Sequence, residues 1–467
     1  MAAVDIPVHG QPMKTPDSRG FALCLDLGSQ RIKARLLDAN GQGPPVQSVS
    51  VAADSEDRGG RLELGRIWQS LDELLQGMAE RHPVECRQTR ALAATSQRAT
   101  QVFLDAGGQP VAPAIDWQNQ QLASPPPIPA PWRWMITASG HASSINSMRR
   151  SAPVWLMRER EPAAWQTCRY SGLLGAWLNQ QLSGRFADCA QAQVGYLPFL
   201  HRRTRWARPG HWMRAALLLT PRMLPELVPA GQPLACLKPE LARRWGLADK
   251  LPLIACAGDK AVEALGAGCL HSATVTASLA TQITVLQPLA RYRPPFPPWP
   301  LFAGAWPGSF LAEQEIQLRG HQFHALARAW AGEQPQPEQA LETRLLGQRH
   351  GQHDEPLLDD YRALVEQLAR QLDEAISRLA TATNSPIETL RLTGGLSRSQ
   401  LVAQAISRQL PQLCVEHACP RAGLMGVAMT AWRGLLGESW PSLVARMVKP
   451  ADPPTGARRP QPDPNRH

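Results

Sequence analysis

The sequence predicts an α/β protein made of two related domains that face each other across a cleft. Between residues 20 and 449, apolar runs of strand length alternate with segments of helical period, which is the α/β pattern. At 467 residues the chain is too long for one typical core. An early strand running into a carboxylate has an echo near the middle of the chain, so each half opens on buried strands with polar tips. The division expected is a disordered segment over 1–19, an N-terminal domain over 20–254, a C-terminal domain over 255–449 and a disordered Pro- and Arg-rich tail over 450–467.

The first unit is ALCLDLGSQRIKARLLD, residues 22–38. Ala22 to Leu25 reads as a buried strand, Asp26-Leu27-Gly28-Ser29 as a tight turn, and Ile32 to Leu36 as a half-buried return strand of period two. Most Asp-x-Gly turns are plain turn chemistry. This one also combines a glycine that lets backbone N–H groups approach an anion, a hydroxyl at Ser29, a carboxylate able to hold a divalent cation and a lysine, Lys33, on the return strand. That set suits phosphates with Mg²⁺. An amphipathic helix follows over LELGRIWQSLDELLQGMAER, with Leu64, Ile67, Leu71, Leu74, Leu75 and Met78 on one face.

In residues 91–121 a strand ends at Ser96-Gln97-Arg98, a hairpin turns at Ala106-Gly107-Gly108, and a further strand enters Ile115-Asp116-Trp117-Gln118. Amide, guanidinium and indole groups at strand ends suit a polyol: the first two bond hydroxyls and the third covers a C–H face. Pro125 to Pro131 reads as a rigid surface loop or linker, as does Arg293 to Pro300.

The echo is LPLIACAGDKAVEALGAG, residues 251–268, where a strand precedes Asp259, followed by TVTASLATQITVL, residues 274–286, as strand, turn and strand with Thr281 near the turn. A second amphipathic helix places Leu364, Leu368, Leu372, Ile376 and Leu379 on one face. Near the end, the strand Leu390 to Leu392 leads through Thr393-Gly394-Gly395 into a helix from about Ser399. Two glycines there permit close approach of a base, a ribose or a phosphate at the helix N-terminus, or serve turn geometry alone.

Composition narrows the function class. No run of about 18 apolar residues and no N-terminal secretory stretch is present. Nine scattered cysteines point to reduced thiols in the cytoplasm. Cys414, His417 and Cys419 lack the second half of a zinc site. The net charge of +10 comes from arginines spread along the chain. It attracts anionic substrates without marking nucleic acid or a membrane as partner.

Four segments in order, DLGSQRIKARLLD, TSQRATQVFLDAGGQPVAPAIDWQ, GDKAVEALGAG and LTGGLSRSQLVAQAI, together resemble the FGGY family of carbohydrate kinases. The likeness also takes in KPELARRWGLADKLPLIACAGD and MGVAMTAW at 425–432, and covers most of residues 20–435. The resemblance implies two actin-like (ribonuclease-H-like) domains around a cleft and ATP- and Mg²⁺-dependent phosphorylation of a sugar, ketose or polyol hydroxyl. It implies that Asp26, Gly28, Ser29 and Lys33 form a first phosphate segment with Asp26 near Mg²⁺. Gln97, Arg98 and Trp117 then face substrate, Asp259 is the catalytic base, Ser278 to Thr281 form a second phosphate hairpin, and Gly394 and Gly395 hold adenosine. The assembly kept open is a homodimer.

The chain departs from the family pattern in places. The second hairpin, usually Leu-Gly-Thr-Ser-Gly, reads Leu279-Ala280-Thr281-Gln282-Ile283, and Leu396 replaces a third glycine. Asn119 and Gln121 stand where an Asp and an Arg are common, Ala99 replaces the Glu of glycerol kinase, and Lys260 replaces an Asn or Gln. Lys260 would lower the pKa of Asp259 if their side chains met, although neighbours on a strand point to opposite faces. The alternative to an active kinase is therefore a catalytically weakened relative acting as a sugar-binding sensor or interaction protein.

Overall fold

The computed structural model describes residues 18–51, 60–294, 301–332, 334, 336–347, 355–418 and 421–448. Nearly all of the two end segments expected to be disordered, and Pro295 to Pro300 of the second Pro-rich stretch, lie outside them. Two six-stranded sheets organise the chain. The first comprises β1 (Phe21–Leu27), β2 (Arg31–Leu37), β3 (Gln47–Ser50), β4 (Thr89–Ser96), β5 (Pro233–Cys236) and β6 (Pro252–Ile254), in the order β5-β6-β4-β1-β2-β3. The second comprises β7 (Thr274–Leu279), β8 (Gln282–Leu289), β9 (Phe302–Ala303), β10 (Phe310–Arg319), β11 (Thr389–Thr393) and β12 (Cys414–His417), in the order β9-β10-β8-β7-β11-β12.

The two sheets repeat one plan. In β3-β2-β1-β4-β6 the pairings run antiparallel, antiparallel, parallel, parallel. In β10-β8-β7-β11-β12 they run the same way. This is the two-domain, ribonuclease-H-like architecture expected. A smaller sheet of Arg61–Leu62, Ala114–Ile115, Gln101–Leu104 and Tyr170–Leu173 elaborates the first half.

β1 is buried on both faces, and its alternation sorts the layers. Leu23, Leu25 and Leu27 meet Ile32, Leu36 and the apolar face of helix α1 (Leu64–Arg81). That face is the six residues expected: Leu64, Ile67, Leu71, Leu74, Leu75 and Met78 are buried. The small side chains Ala22 and Cys24, with Ala91 and Ala93, look the other way into a core shared with helices α2 (Asp259–Gly266) and α5 (Ala422–Leu436). Behind the second sheet lies the long helix α3 (Pro356–Thr383), which buries Leu368, Leu372, Ile376 and Leu379 as expected and leaves Leu364 partly covered.

α2 and α5 cross at backbone contact. A Cβ on Gly266 would sit 1.8 Å from the Ala422 carbonyl oxygen, and one on Gly426 would sit 1.9 Å from that of Val262. α5 continues across the first sheet, where the Trp432 Nε1–H donates to the Leu37 carbonyl at 3.1 Å.

Three local readings are corrected. β1 runs through Asp26 to Leu27, so Asp26 is a strand residue opposite Lys33 and the turn begins at Gly28. Backbone pairing with β4 on the other side carries the strand that far. The strand before Asp259, residues 252–254, lies within the first sheet between β5 and β4, and the true echo of β1 and β2 is β7 and β8. Asp259 opens α2 instead of ending a strand, because Gly258 serves as its N-cap.

Gly426→Ala forces the helices apart, and overpacking of this kind costs about 3 kcal/mol. Gly423→Ala, whose Cβ meets nothing within 4 Å, should change stability little. Urea unfolding of both variants checks the contrast.

Candidate active site

Between the two sheets lies a cavity of ≈ 860 Å³. Most of the residues singled out from the sequence line it: Asp26, Gly28, Ser29 and Lys33 from the first hairpin, Gln97, Arg98 and Trp117, then Asp259, Ala280, Thr281, Gly394 and Gly395, whereas Ser278 and Leu279 of the second hairpin are not among its lining residues. On the first wall, the Lys33 ammonium donates to Asp26 Oδ2 at 3.1 Å across the β1–β2 pair.

Asp259 stands at the first turn of α2, where the helix dipole favours a carboxylate. Its Oδ1 accepts from the Lys260 backbone N–H at 2.7 Å and forms an ion pair with Arg98 Nε at 3.0 Å. Oδ2 has no hydrogen-bond partner among the described residues. Burial pushes the carboxyl above the usual carboxylate range, and the opposing pull of Arg98 and Lys260 does not cancel it. Asp26 adds to the rise, so the two carboxylates feel each other across the cavity.

Arg98 is held from two sides. Its terminal nitrogens make a fork to Glu313 at 2.5 and 3.0 Å, and its guanidinium lies over the Phe302 ring, 5.7 Å from the centroid. All three nitrogens meet carboxylates, and a guanidinium has five N–H donors, so some are left over on the cavity wall. Arg98 ties the residues after β4 to Asp259 and to β10 of the second sheet. Gln97 lines the same cavity. Its Nε2 donates to Thr100 Oγ1 at 2.9 Å, while its buried Oε1 has no partner among the described residues. Trp117 is not core; at 39% exposure it presents its ring to the cavity. Asp116 accepts from the Gln118 N–H and holds this turn.

The second hairpin has lost its glycines without backbone strain. None of Ala280, Thr281, Gln282 or Ile283 has a positive φ. The close approach has moved to the neighbours. Gly394, at φ +87°, leaves room where a Cβ would sit 2.5 Å from the Leu279 carbonyl oxygen, and a Cβ on Gly320 would be 2.3 Å from that of Ala280. A Cβ on Gly395 would meet nothing within 4 Å, so that glycine keeps cavity space open. Beyond it a short turn, Leu396–Arg398, precedes helix α4 (Gln400–Gln409). The N-terminus of α4 is already occupied: Glu342 accepts from the Leu401 N–H at 2.9 Å and from Ser399 Oγ at 3.1 Å.

Sequence reasoning missed Phe302, Glu313, Glu315, Arg398 and Arg421, all of which line the cavity. The alternation Glu313-Gln314-Glu315 in a strand was the available signal, since residues two apart share a face. Among the described residues no group of three His, Cys, Asp or Glu side chains could by itself hold a metal ion, and no disulfide occurs. Cys419 of the C-terminal Cys/His cluster lies outside the described residues. No helix among them is long and apolar enough to cross a membrane.

The family descriptions of the FGGY carbohydrate kinases match the N-terminal domain over residues 21–266 and the C-terminal domain over 310–435. The chain belongs to the FGGY family of carbohydrate kinases. It is similar to the xylulose kinase of Lactococcus lactis, with 24% identity over 267 residues covering 56% of this chain and 52% of that protein. It is also similar to the glycerol kinase of Bordetella parapertussis, with 25% identity and 93% of each chain covered. The matched region spans about half the length of the first xylulose kinase relatives. In fold it resembles the ligand-bound xylulose kinase of Lactobacillus acidophilus at a TM-score of 0.74, with 15% identity and 93% of each chain covered.

Arg98→Met leaves the buried Glu313 without its guanidinium partner and takes from Asp259 one of the two cations that act on it. Orphaning such groups costs about 3 kcal/mol. A denaturant titration of the variant against the parent at neutral pH checks this.

Proposed function

We propose that the protein phosphorylates a hydroxyl of a small sugar, ketose or polyol with ATP, and that Asp259 is the general base. The observation carrying this is the divided carboxylate of Asp259. Arg98 and a backbone N–H fix one oxygen, and the other is left without a partner on a cavity wall. A hydroxyl is a poor nucleophile at neutral pH, and a positioned base that accepts its proton as the P–O bond forms contributes about 10²–10⁴-fold. The raised pKa makes the base a better proton acceptor.

Gln97 and Trp117 face the substrate from the cavity wall, with the exposed indole as an apolar cover. Gly394 and Gly395 leave space for the adenosine, and the two hairpin tips with Lys33 meet the phosphates. Magnesium, when bound, supplies charge neutralisation on the phosphates. With no three-ligand protein cluster available, the site suits an ion carried mainly by phosphate and water, with Asp26 as its protein anion. The sensor reading drew on the altered second hairpin. The absence of positive φ at that tip removes the backbone reason for expecting it to fail.

Asp259→Ala should abolish phosphoryl transfer while MgATP binding by calorimetry stays near that of the parent; turnover within tenfold of the parent would refute the assignment. In the parent, kcat/KM should fall on the acid side with a midpoint above the ordinary aspartate value of about 4, because protonation of Asp259 removes the base. A pH–rate profile measures it.

A further inference from the structure

The two sheets use their first hairpins differently, and the difference exposes a residue with no role yet. In the first sheet, Asp26 and Lys33 face each other one pair before the tip, where Leu27 pairs with Ile32. In the second sheet the equivalent pair is Ser278 and Thr284, one before Leu279 and Ile283. Neither is charged. Instead α2 brings an ion pair to the same place. The Lys260 ammonium donates to Glu263 Oε2 at 3.1 Å and to Ser278 Oγ at 2.5 Å. Ser278 Oγ in turn donates to Glu263 Oε2 at 2.9 Å, and Thr393 Oγ1 donates to Glu263 Oε1 at 2.7 Å. Burial would push the Glu263 carboxyl up, but Lys260, Thr393 and Ser278 outweigh it and hold it below the usual range. The carboxylate is therefore ionised and anchors the lysine.

An ammonium has three donors. Lys260 uses two within the protein, and the third has no partner among the described residues. Its side chain is only 14% exposed, yet it lines the cavity beside Ala280 and Thr281. A fixed, partly desolvated cation beneath a hairpin tip interacts with a phosphate more strongly than a solvated surface lysine does.

We infer that Lys260 is a second phosphate-binding lysine, docked by Glu263 and Ser278 where the second sheet lacks a charged pair of its own. Lys33 and Lys260 then meet the nucleotide's phosphates from the two halves of the protein. The ammonium compensates for the hairpin glycines that the tip no longer has. This rests on the proposal that MgATP occupies the cavity.

The test uses the full chain with Lys260→Met and Glu263→Gln combined, so that no buried charge is left alone, and calorimetry with MgATP and with adenosine. The double variant should fold, bind MgATP at least tenfold more weakly than the parent, and bind adenosine within twofold of it. Loss of fold, MgATP affinity within threefold of the parent, or equal weakening for both ligands would overturn the inference and leave the pair a structural lock. A parent protein that binds no MgATP would instead refute the kinase reading itself, and the inference with it.

Discussion

Where Gly266 faces Ala422 and Gly426 faces Val262, two helices touch backbone to backbone, and the site's geometry follows from that contact. α2 carries Asp259 at its first turn, and the start of α5 lines the same cavity with Ala422, Gly423 and Leu424. No side chain intervenes at the crossing, so the two helix ends are held at a distance set by main-chain atoms. Protein interiors of this density pass displacement on instead of absorbing it. The small residues of the first sheet, Ala22, Cys24, Ala91 and Ala93, serve the same end by letting the helix pair lie close to it.

Charge is then arranged around that frame in separate pairs. Lys33 with Asp26 lies on one hairpin, and Lys260 with Glu263 lies under the other. Arg98 joins Asp259 and Glu313 across the cleft. Partly buried ions of this kind add little stability over a well-packed apolar alternative, but removing one member is costly. Their value here is positional: each pair fixes a polar atom on the cavity wall before any ligand arrives. That is the preorganisation on which phosphoryl transfer depends.

Much of this was legible in the sequence where a pattern is local. The face of α1, the hairpin around Gly28, the strand before Gly394 and the helix from about Ser399 all follow from spacing and turn chemistry over a few residues. The roles that needed long-range contact were not legible. Nothing around Arg98 announces Glu313, which is 215 positions away. Lys260 was judged by strand alternation, whereas Gly258 starts a helix there and sends the lysine to Glu263 and Ser278. The loss of glycine at Ala280 looked like damage because the compensating glycines, Gly320 and Gly394, lie on other strands' ends.

All of these features converge on one claim, that the cavity transfers a phosphoryl group to an alcohol with Asp259 as base. An ADP-release assay of the unmodified protein across neutral ketoses, aldoses and polyols tests it most directly. The account expects at least one acceptor to drive ADP release at more than ~1 s⁻¹, an ordinary enzyme rate. Sugar binding by calorimetry with no acceptor-dependent ADP release across the whole panel would contradict it.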